Sequence, residues 1–395
     1  MANQYLTGDV IVDRMLARTF EELTFLPKIS MQYDDYFNGK GAKPGNEVRV
    51  RKQQHAKIRR GRIADLTPIK DEYTTVKLKE QIGVDVGASS ADLALNIEDF
   101  DAQYIKPFAS DLAAAIESAV LQDVTPLIPE TSGDYGPLND MNDILDAGVR
   151  LDYNGASKGN RIMLVNPRAQ AQSVAAFSNL FNDQATIGKQ YKKGRMGGDT
   201  LGFDWYSSTM MPSQVRGTGA GYLVNGAGQS GASLIVDTGT GTINVGDTFT
   251  IANVYAVHDQ TKANLGYLRE FTVTSVHPGG AGTISITPAI VATGTEQNVS
   301  AAPADNAPIT IEGTASATYF QNLAFTEDAF YFVTADLALP KSMEAAGRRK
   351  YQGLSMRYVQ GFDITNDEWI SRFDVIYGGG VLNPLHAVRL PNSLT

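Results

Sequence analysis

Residues 161–172 read RIMLVNPRAQAQ. Four apolar residues in succession, Ile162 to Val165, have the texture of a strand buried on both faces. Asn166 stands where a helix needs an N-cap. Pro167 follows at the first helical position, where a missing N–H costs nothing. The reading is a buried strand over 161–165 that turns directly into a helix over 169–181. On either side the texture continues. Helical spacing covers 141–151, and a Gly/Lys-rich loop (GKQYKKGRMGGD, 188–199) leads to a strand over 201–207.

At Pro212 the composition changes. Residues 212–316 are rich in Gly and Thr and hold only three basic groups, Arg216, Lys262 and Arg269. Short β-branched runs recur at 233–236, 248–252, 271–276, 283–287 and 309–312, most of them separated by glycine-containing turns. That predicts a small all-β module of about six strands. The mixed texture returns at Tyr319, with strands expected at 329–334, 355–363 and 370–377. An all-β block between two stretches of one texture reads as an insertion into a parent domain, so the fold class expected is α+β.

The first part of the chain is organised differently. Apolar positions Ile11, Met15, Leu16, Phe20 and Leu23 fall at helical spacing over 10–26, and Pro27 ends the run. A turn-rich stretch (33–46) precedes strands at 47–52 and 73–86. Between and around these strands, 43–70 carries nine Lys/Arg against two acids, Glu47 and Asp65. The stretch holds +7 of a chain whose total is −9, so the remainder sums to −16. An arm with no apolar face cannot build a core; it is expected to be a long hairpin lying on something else. Such asymmetry points to nucleic acid or to an acidic protein surface, including that of another copy. The longest expected helix covers 96–124, with Asn96 as N-cap, Asp99 near the positive end of the dipole and a kink at Pro107. Its stripe is Ile105, Phe108, Leu112, Ile116, Ala119 and Val120.

The 395 residues contain no cysteine, which excludes disulfides, iron–sulfur clusters and thiolate zinc sites. The N-terminus shows no secretory pattern, and no run is long and apolar enough to span a membrane. The four histidines, His55, His258, His277 and His386, have no metal spacing and no adjacent nucleophile. Residues 226–231 (GAGQSG) spell the dinucleotide fingerprint. A strand-like run follows instead of the helix that the fingerprint requires, so a hairpin turn is the better reading. Asp34-Asp35 and Asp140/Asp143/Asp146 read as turn and helix-start acids, and Phe325, Phe330, Tyr331 and Phe332 as a buried strand. No constellation supports catalysis, a cofactor or a metal; the chain is read as not an enzyme. A helix-turn-helix or zinc module, which would support DNA reading, is absent as well.

The order of elements resembles the tailed-phage major capsid proteins with the Hong Kong 97 fold. The resemblance is carried by RIMLVNPRAQAQ, by YKKGRMGGDTLGFDWYSSTMMP (191–212), and by the closing runs NLAFTEDAFYFVTADLALP and GLSMRYVQGFDITNDEWISRFDVIYGGGVLNP. The β module, with GDTFTIANV, FTVTSV and TISITP, is similar to the extra domain of coat proteins from a short-tailed Salmonella phage and its relatives. The resemblance implies an N-terminal arm (1–32), an extended loop (33–80), a peripheral domain with a long spine helix (81–131) and the first part of an axial domain (132–211). The inserted domain (212–316) and an axial/peripheral return (317–395) follow. It further implies a subunit that self-assembles as hexamers and pentamers of an icosahedral shell around double-stranded DNA, with a scaffolding protein and a portal as partners. No membrane is implied. Its location would be the virion capsid, assembled in the host bacterial cytoplasm. Inter-subunit contact would fall on Arg49, Arg51, Lys52, Lys57, Arg59, Arg60 and Arg62 of the extended loop. In the relatives a long acidic hairpin of the extra domain reaches across capsomers; here the matching region (YLVNGAGQSGAS, 222–233) is short and neutral. The segment 258–267, with His258, Asp259 and Lys262, is therefore the candidate for intra-subunit or capsomer contact. Alternatives are a tail-tube or decoration protein, or a DNA-binding protein using 43–70.

Overall fold

A computed structural model of the chain describes residues 8–33, 47–51, 62, 73–78, 80–89, 105–177, 196, 199–340, 345–365 and 368–393. In chain order the α-helices among them are α1 (Gly8–Glu22), α2 (Lys106–Val124), α3 (Met141–Tyr153) and α4 (Pro167–Phe177). The strands begin with β1 (Ser30–Tyr33), β2 (Glu47–Arg51), β3 (Tyr73–Lys77), β4 (Glu80–Ser89), β5 (Ile162–Val165), β6 (Asp204–Ser207) and β7 (Ser213–Val215). Then come β8 (Leu223–Val224), β9 (Gly231–Asp237), β10 (Thr248–Val257), β11 (Asn264–Val273), β12 (Gly282–Ile290) and β13 (Ile309–Ile311). The last are β14 (Thr318–Phe325), β15 (Phe330–Ala335), β16 (Ala345–Tyr351), β17 (Leu354–Asp363), β18 (Glu368–Val381) and β19 (Ala387–Asn392). The chain is α+β, and it divides into two compact units.

One unit draws on Met1–Val50, Tyr73–Val120 and Tyr331–Gly380. Its sheet runs β1-β15-β18-β17-β16, with β4 also paired to β18. Helix α1 lies on β16 and β17 and buries Val12, Met15 and Leu16, as its spacing predicts. The expected start of the long helix at Asn96 lies outside the described residues; the described part places Pro107 in the first turn, so the predicted kink falls at its boundary. Two adjacent glycines let β18 pass close to its neighbours. A Cβ on Gly379 would sit 2.9 Å from Val120, and one on Gly380 would sit 2.3 Å from the Tyr331 hydroxyl. The chain leaving α1 is held by Glu117 of α2, itself buried. Its carboxylate accepts from the Thr24 amide at 3.2 Å and from the Phe25 amide. Burial pushes its pKa up, and the two amide bonds oppose that rise.

The other unit holds Leu121–Phe330 and Val381–Thr395. Its parent sheet runs β19-β14-β5-β6, with β7 on β14. The strand-to-helix reading of 161–172 holds, with the helix beginning at Pro167; the end of the expected helix, 178–181, lies outside the described residues. β5 is buried throughout, and the Asn166 Oδ1 accepts from the Ala169 amide at 2.6 Å to cap α4. Ile144, Ala147 and Leu151 of α3 join Met163, Val165, Ala169, Val388 and Leu390 in one apolar cluster. One detail differs: 200–203 form a tight turn, closed by Thr200 and Phe203, with Leu201 and Gly202 at positive φ. The strand therefore starts only at Asp204.

β7 and β14 pair antiparallel, so the chain enters and leaves the β module side by side. Inside it, β13-β10-β11-β12-β9-β8 form one sheet. The Val224 amide donates to the Ala307 carbonyl at 3.0 Å and the Ile309 amide to the Tyr222 carbonyl at 3.0 Å. The first and last strands thus meet, and the sheet closes into a six-stranded barrel with no free edge. Phe249, Ile251, Phe271, Val273, Ile284 and Leu234 fill it. The GAGQSG glycines lie between β8 and β9 with Gly226, Gly228 and Gly231 all at positive φ, a turn as predicted.

A buried ionic network fixes the barrel to the parent sheet. Glu130, fully buried, pairs with Arg269 of β11 at 3.0 Å and with Arg150 of α3 at 2.9 Å. Arg150 also reaches Glu270 at 2.7 Å and Asp146 at 3.0 Å. Glu270 accepts from the Thr131 amide at 2.5 Å and its hydroxyl at 2.9 Å. From β19, the buried Arg389 donates to Gln214 at 3.0 Å, to the Gly246 carbonyl at 2.8 Å and to the Thr248 hydroxyl. Burial works against the Arg150 charge, and Glu270, Glu130 and Asp146 outweigh it, so its pKa rises. Glu270 is also pushed up, by the loss of water and by the neighbouring Glu130 carboxylate, against the opposing pull of Arg150.

Two stability predictions arise from these contacts. Glu117→Ala should strand the buried Phe25 amide, at about 1–3 kcal/mol, and the part-buried Thr24 amide at a smaller cost, while Glu117→Gln keeps one acceptor and should lose clearly less; thermal unfolding of the two variants checks the order. Arg150→Met should cost about 3–5 kcal/mol by leaving carboxylates buried without their shared cation. Adding Glu270→Gln should recover part of that loss, which urea denaturation of the single and double variants measures.

Candidate assembly interface

The residues expected to touch other subunits lie in two places. Arg49 and Arg51 belong to β2, which pairs with β3 as a two-stranded ribbon separate from the other sheets. Such a ribbon gains little stability by itself in water and needs a surface to lie on. Arg62 is exposed. Lys52, Lys57, Arg59 and Arg60 lie outside the described residues, as does His55.

His258, Asp259 and Lys262 form the turn between β10 and β11. The His258 amide donates to the Ala263 carbonyl at 2.8 Å, and the Lys262 amide to the His258 carbonyl at 2.9 Å. The His258 Nδ1 accepts from the Gln260 amide at 3.1 Å and the Thr261 amide at 3.3 Å. Lys262 Nζ stands 3.6 Å from Asp259 Oδ1. The turn leans on the end of α3: the Asp259 amide is 3.4 Å from the Tyr153 carbonyl. Tyr267 stacks on Tyr153 at 6.4 Å, with the Arg150 guanidinium 5.3 Å from the Tyr267 ring centre. These contacts are all within the chain, and they join the turn and the outer side of α3 into one surface.

That surface is acidic where α3 begins. The Asp140 carboxylate caps the helix by accepting from the Asn142 amide at 2.9 Å. Burial, with Asp140, Asp134 and Asp146 nearby, pushes the Asp143 carboxyl up to about 6. Farther along, Asp152 is held by Arg161 at 2.6 Å.

The remaining chemistry-bearing residues are occupied structurally. The buried His277 Nε2 lies 3.0 Å from the Gly280 carbonyl oxygen, and His386 Nδ1 lies 2.7 Å from Asp328. The His386 hydrogen bond, followed by the opposing cost of burial, leaves the Asp328 carboxyl lowered to about 2. Phe325, Phe330, Tyr331 and Phe332 are all buried, as a strand reading requires. Among the described residues no three His, Asp or Glu side chains are grouped to hold a metal ion, and no helix is long and apolar enough to cross a membrane. The ionic network at the foot of the barrel was not anticipated. Its one visible trace is Arg269-Glu270 in the middle of LGYLREFTV, a charged pair inside an otherwise apolar strand.

Comparison with known proteins places these features in a family. No curated protein sequence matches the chain. Among solved structures, the chain is similar to one from Mycobacterium phage Che8 at 12% identity, covering 88% of this chain and 85% of the other, with a TM-score of 0.44. It is also similar to the capsid structure of cyanophage P-SCSP1u at 12% identity, over 94% and 91% of the two chains, with a TM-score of 0.43. The CUS-3 coat protein I-domain is similar at 30% identity over 24% of this chain and 96% of its own, with a TM-score of 0.20. A sequence model of the family described as P22 coat protein, gene protein 5, matches residues 2–391. Spanning nearly the whole sequence, that match makes the chain a member of the P22 coat protein family and a major capsid subunit of a phage shell.

Proposed function

We propose that this coat subunit assembles as hexamers and pentamers of an icosahedral lattice in the host bacterial cytoplasm, with a scaffolding protein and a portal, around packaged double-stranded DNA. It performs no catalysis and carries no cofactor. The observation that carries the reading is the two-stranded ribbon of β2 with β3, which flanks a cationic stretch, 43–70 at +7, against a remainder of the chain at −16. A ribbon without a core of its own gains stability from a neighbour's surface, and an acidic neighbour of the same sequence supplies the opposite charge. Single exposed ion pairs contribute only about 0–1 kcal/mol. The ribbon therefore acts through register and through repetition over many identical contacts, each burying on the order of 1,600 Å² or more. The domain boundaries named above, with 33–80 as extended loop and 212–316 as inserted domain, belong to this proposal. The closed barrel, and the adjacency of β7 and β14 where the chain enters and leaves it, support the second of them.

Electron microscopy of the expressed chain, with and without a scaffolding partner, tests the assembly. Closed shells or rings are expected; a persistent monomer that binds DNA with a steep salt dependence would instead favour the DNA-binding alternative. Reversing Arg59, Arg60 and Arg62 to Glu should abolish particle formation in sedimentation while leaving the circular dichroism of the subunit unchanged.

A further inference from the structure

Helix α3 carries apolar side chains on two sides. Ile144, Ala147 and Leu151 are fully buried in the parent core. One residue further round the helix, Leu145, Val149 and Tyr153 follow one another at four-residue spacing and are 43%, 41% and 38% exposed. Residues four apart stand over one another on a helix, so these three form a continuous stripe facing away from the core. Singly exposed apolar residues are ordinary surface, whereas contiguous apolar patches rimmed by polar groups are the kind that interaction sites use. The stripe runs on, through Tyr153, into Tyr267 and the 258–262 turn described above.

Its charge surroundings indicate what covers it. At the start of α3, Asp134, Asp140 and Asp143 make no salt bridge to a cation among the described residues, whereas Asp146 and Asp152 farther on are paired with Arg150 and Arg161. The helix N-terminus offsets part of that negative charge. The rest calls for a partner that brings apolar contact and positive charge together. The same chain contains such a segment in 43–70, where a few apolar residues, Val48, Val50, Ile58 and Ile63, too scattered to form a core of their own, are interleaved with nine Lys/Arg.

We propose that the outer face of α3, Leu145, Val149 and Tyr153 with the acids at its start, is a contact surface for a second copy of this chain, which presents cationic and apolar side chains to it. The inference rests on the assembly reading above and adds a location to it. Apolar burial along the stripe holds the copies together, and the acids set the orientation in which the cationic partner approaches.

The chain has no cysteine, so Val149→Cys introduces a single thiol. Its reaction with a bulky maleimide is followed in the free subunit and in assembled particles. The rate should fall by about tenfold or more on assembly, as expected of a site from which water is excluded. Equal rates in subunit and particle overturn the inference while leaving the assembly reading intact; failure of the wild-type chain to assemble overturns both. Protection that requires a scaffolding protein and disappears when it leaves also overturns it, because the scaffold would then be the occupant. Should Val149→Cys fold but not assemble, Leu145→Cys decides by the same criterion. The double variant Leu145→Ser/Val149→Ser supplies the second measurement: a folded subunit with strongly reduced particle yield is expected, and wild-type yield counts against the surface.

Discussion

The arrangement of the barrel depends on Arg150, which serves two buried carboxylates at once. Glu130 comes from the segment after α2, Glu270 from the barrel, and Arg150 from the parent helix α3. Buried ions are costly to dehydrate, and a hydrophobic replacement of similar shape is often as stable. What the network adds is direction. A closed barrel filled with its own apolar side chains has no edge strand with which to dock, so apolar packing alone would fix its angle poorly. Charge-assisted bonds of defined length, together with Arg389 reaching across from β19 to Gln214, Gly246 and Thr248, allow one orientation.

For a shell subunit this matters more than the stability of any one contact. An interface repeated many times multiplies a small angular error, so the elements that carry contact surfaces must be held firmly relative to one another. The 258–262 turn leans on the end of α3, and Arg150 lies over the ring of Tyr267. Barrel, turn and helix face are therefore fixed by the same residues. In the contact role we propose for it, the β2–β3 ribbon works on the opposite principle: a two-stranded element without a core takes its stability from the surface it lies on. On that reading, a fixed helix-and-turn surface and a ribbon that conforms to its neighbour suit subunits that repeat in environments that are similar but not identical.

Several elements were legible in the sequence because their causes are local. Asn166-Pro167 announces the start of α4 through one side-chain cap and one fixed φ. The stripe Met15, Leu16 and Leu23 announces α1. Glycine-rich turns between β-branched runs announce the strands of the barrel, and the missing helix after GAGQSG identifies those glycines as a turn. The tight turn at 200–203 was less visible, because Leu201 takes a positive φ that its residue type does not advertise. β16 (AAGRRKY) escaped notice because a charged strand at the end of a sheet has no apolar alternation to detect.

The sequence by itself determined the α+β class, the all-β insertion and the separation of a cationic stretch from an acidic remainder, since composition and short-range periodicity carry that information. Only the tertiary structure decided that the insertion closes into a barrel, because closure joins Tyr222 and Val224 to Ala307 and Ile309, far apart in the chain. It also decided the burial of Glu117, Glu130, Glu270 and Arg389. Each of these charged residues reads as surface until a partner more than ninety positions away, or, for Glu130, also on the next helix, supplies the hydrogen bond that makes its burial possible.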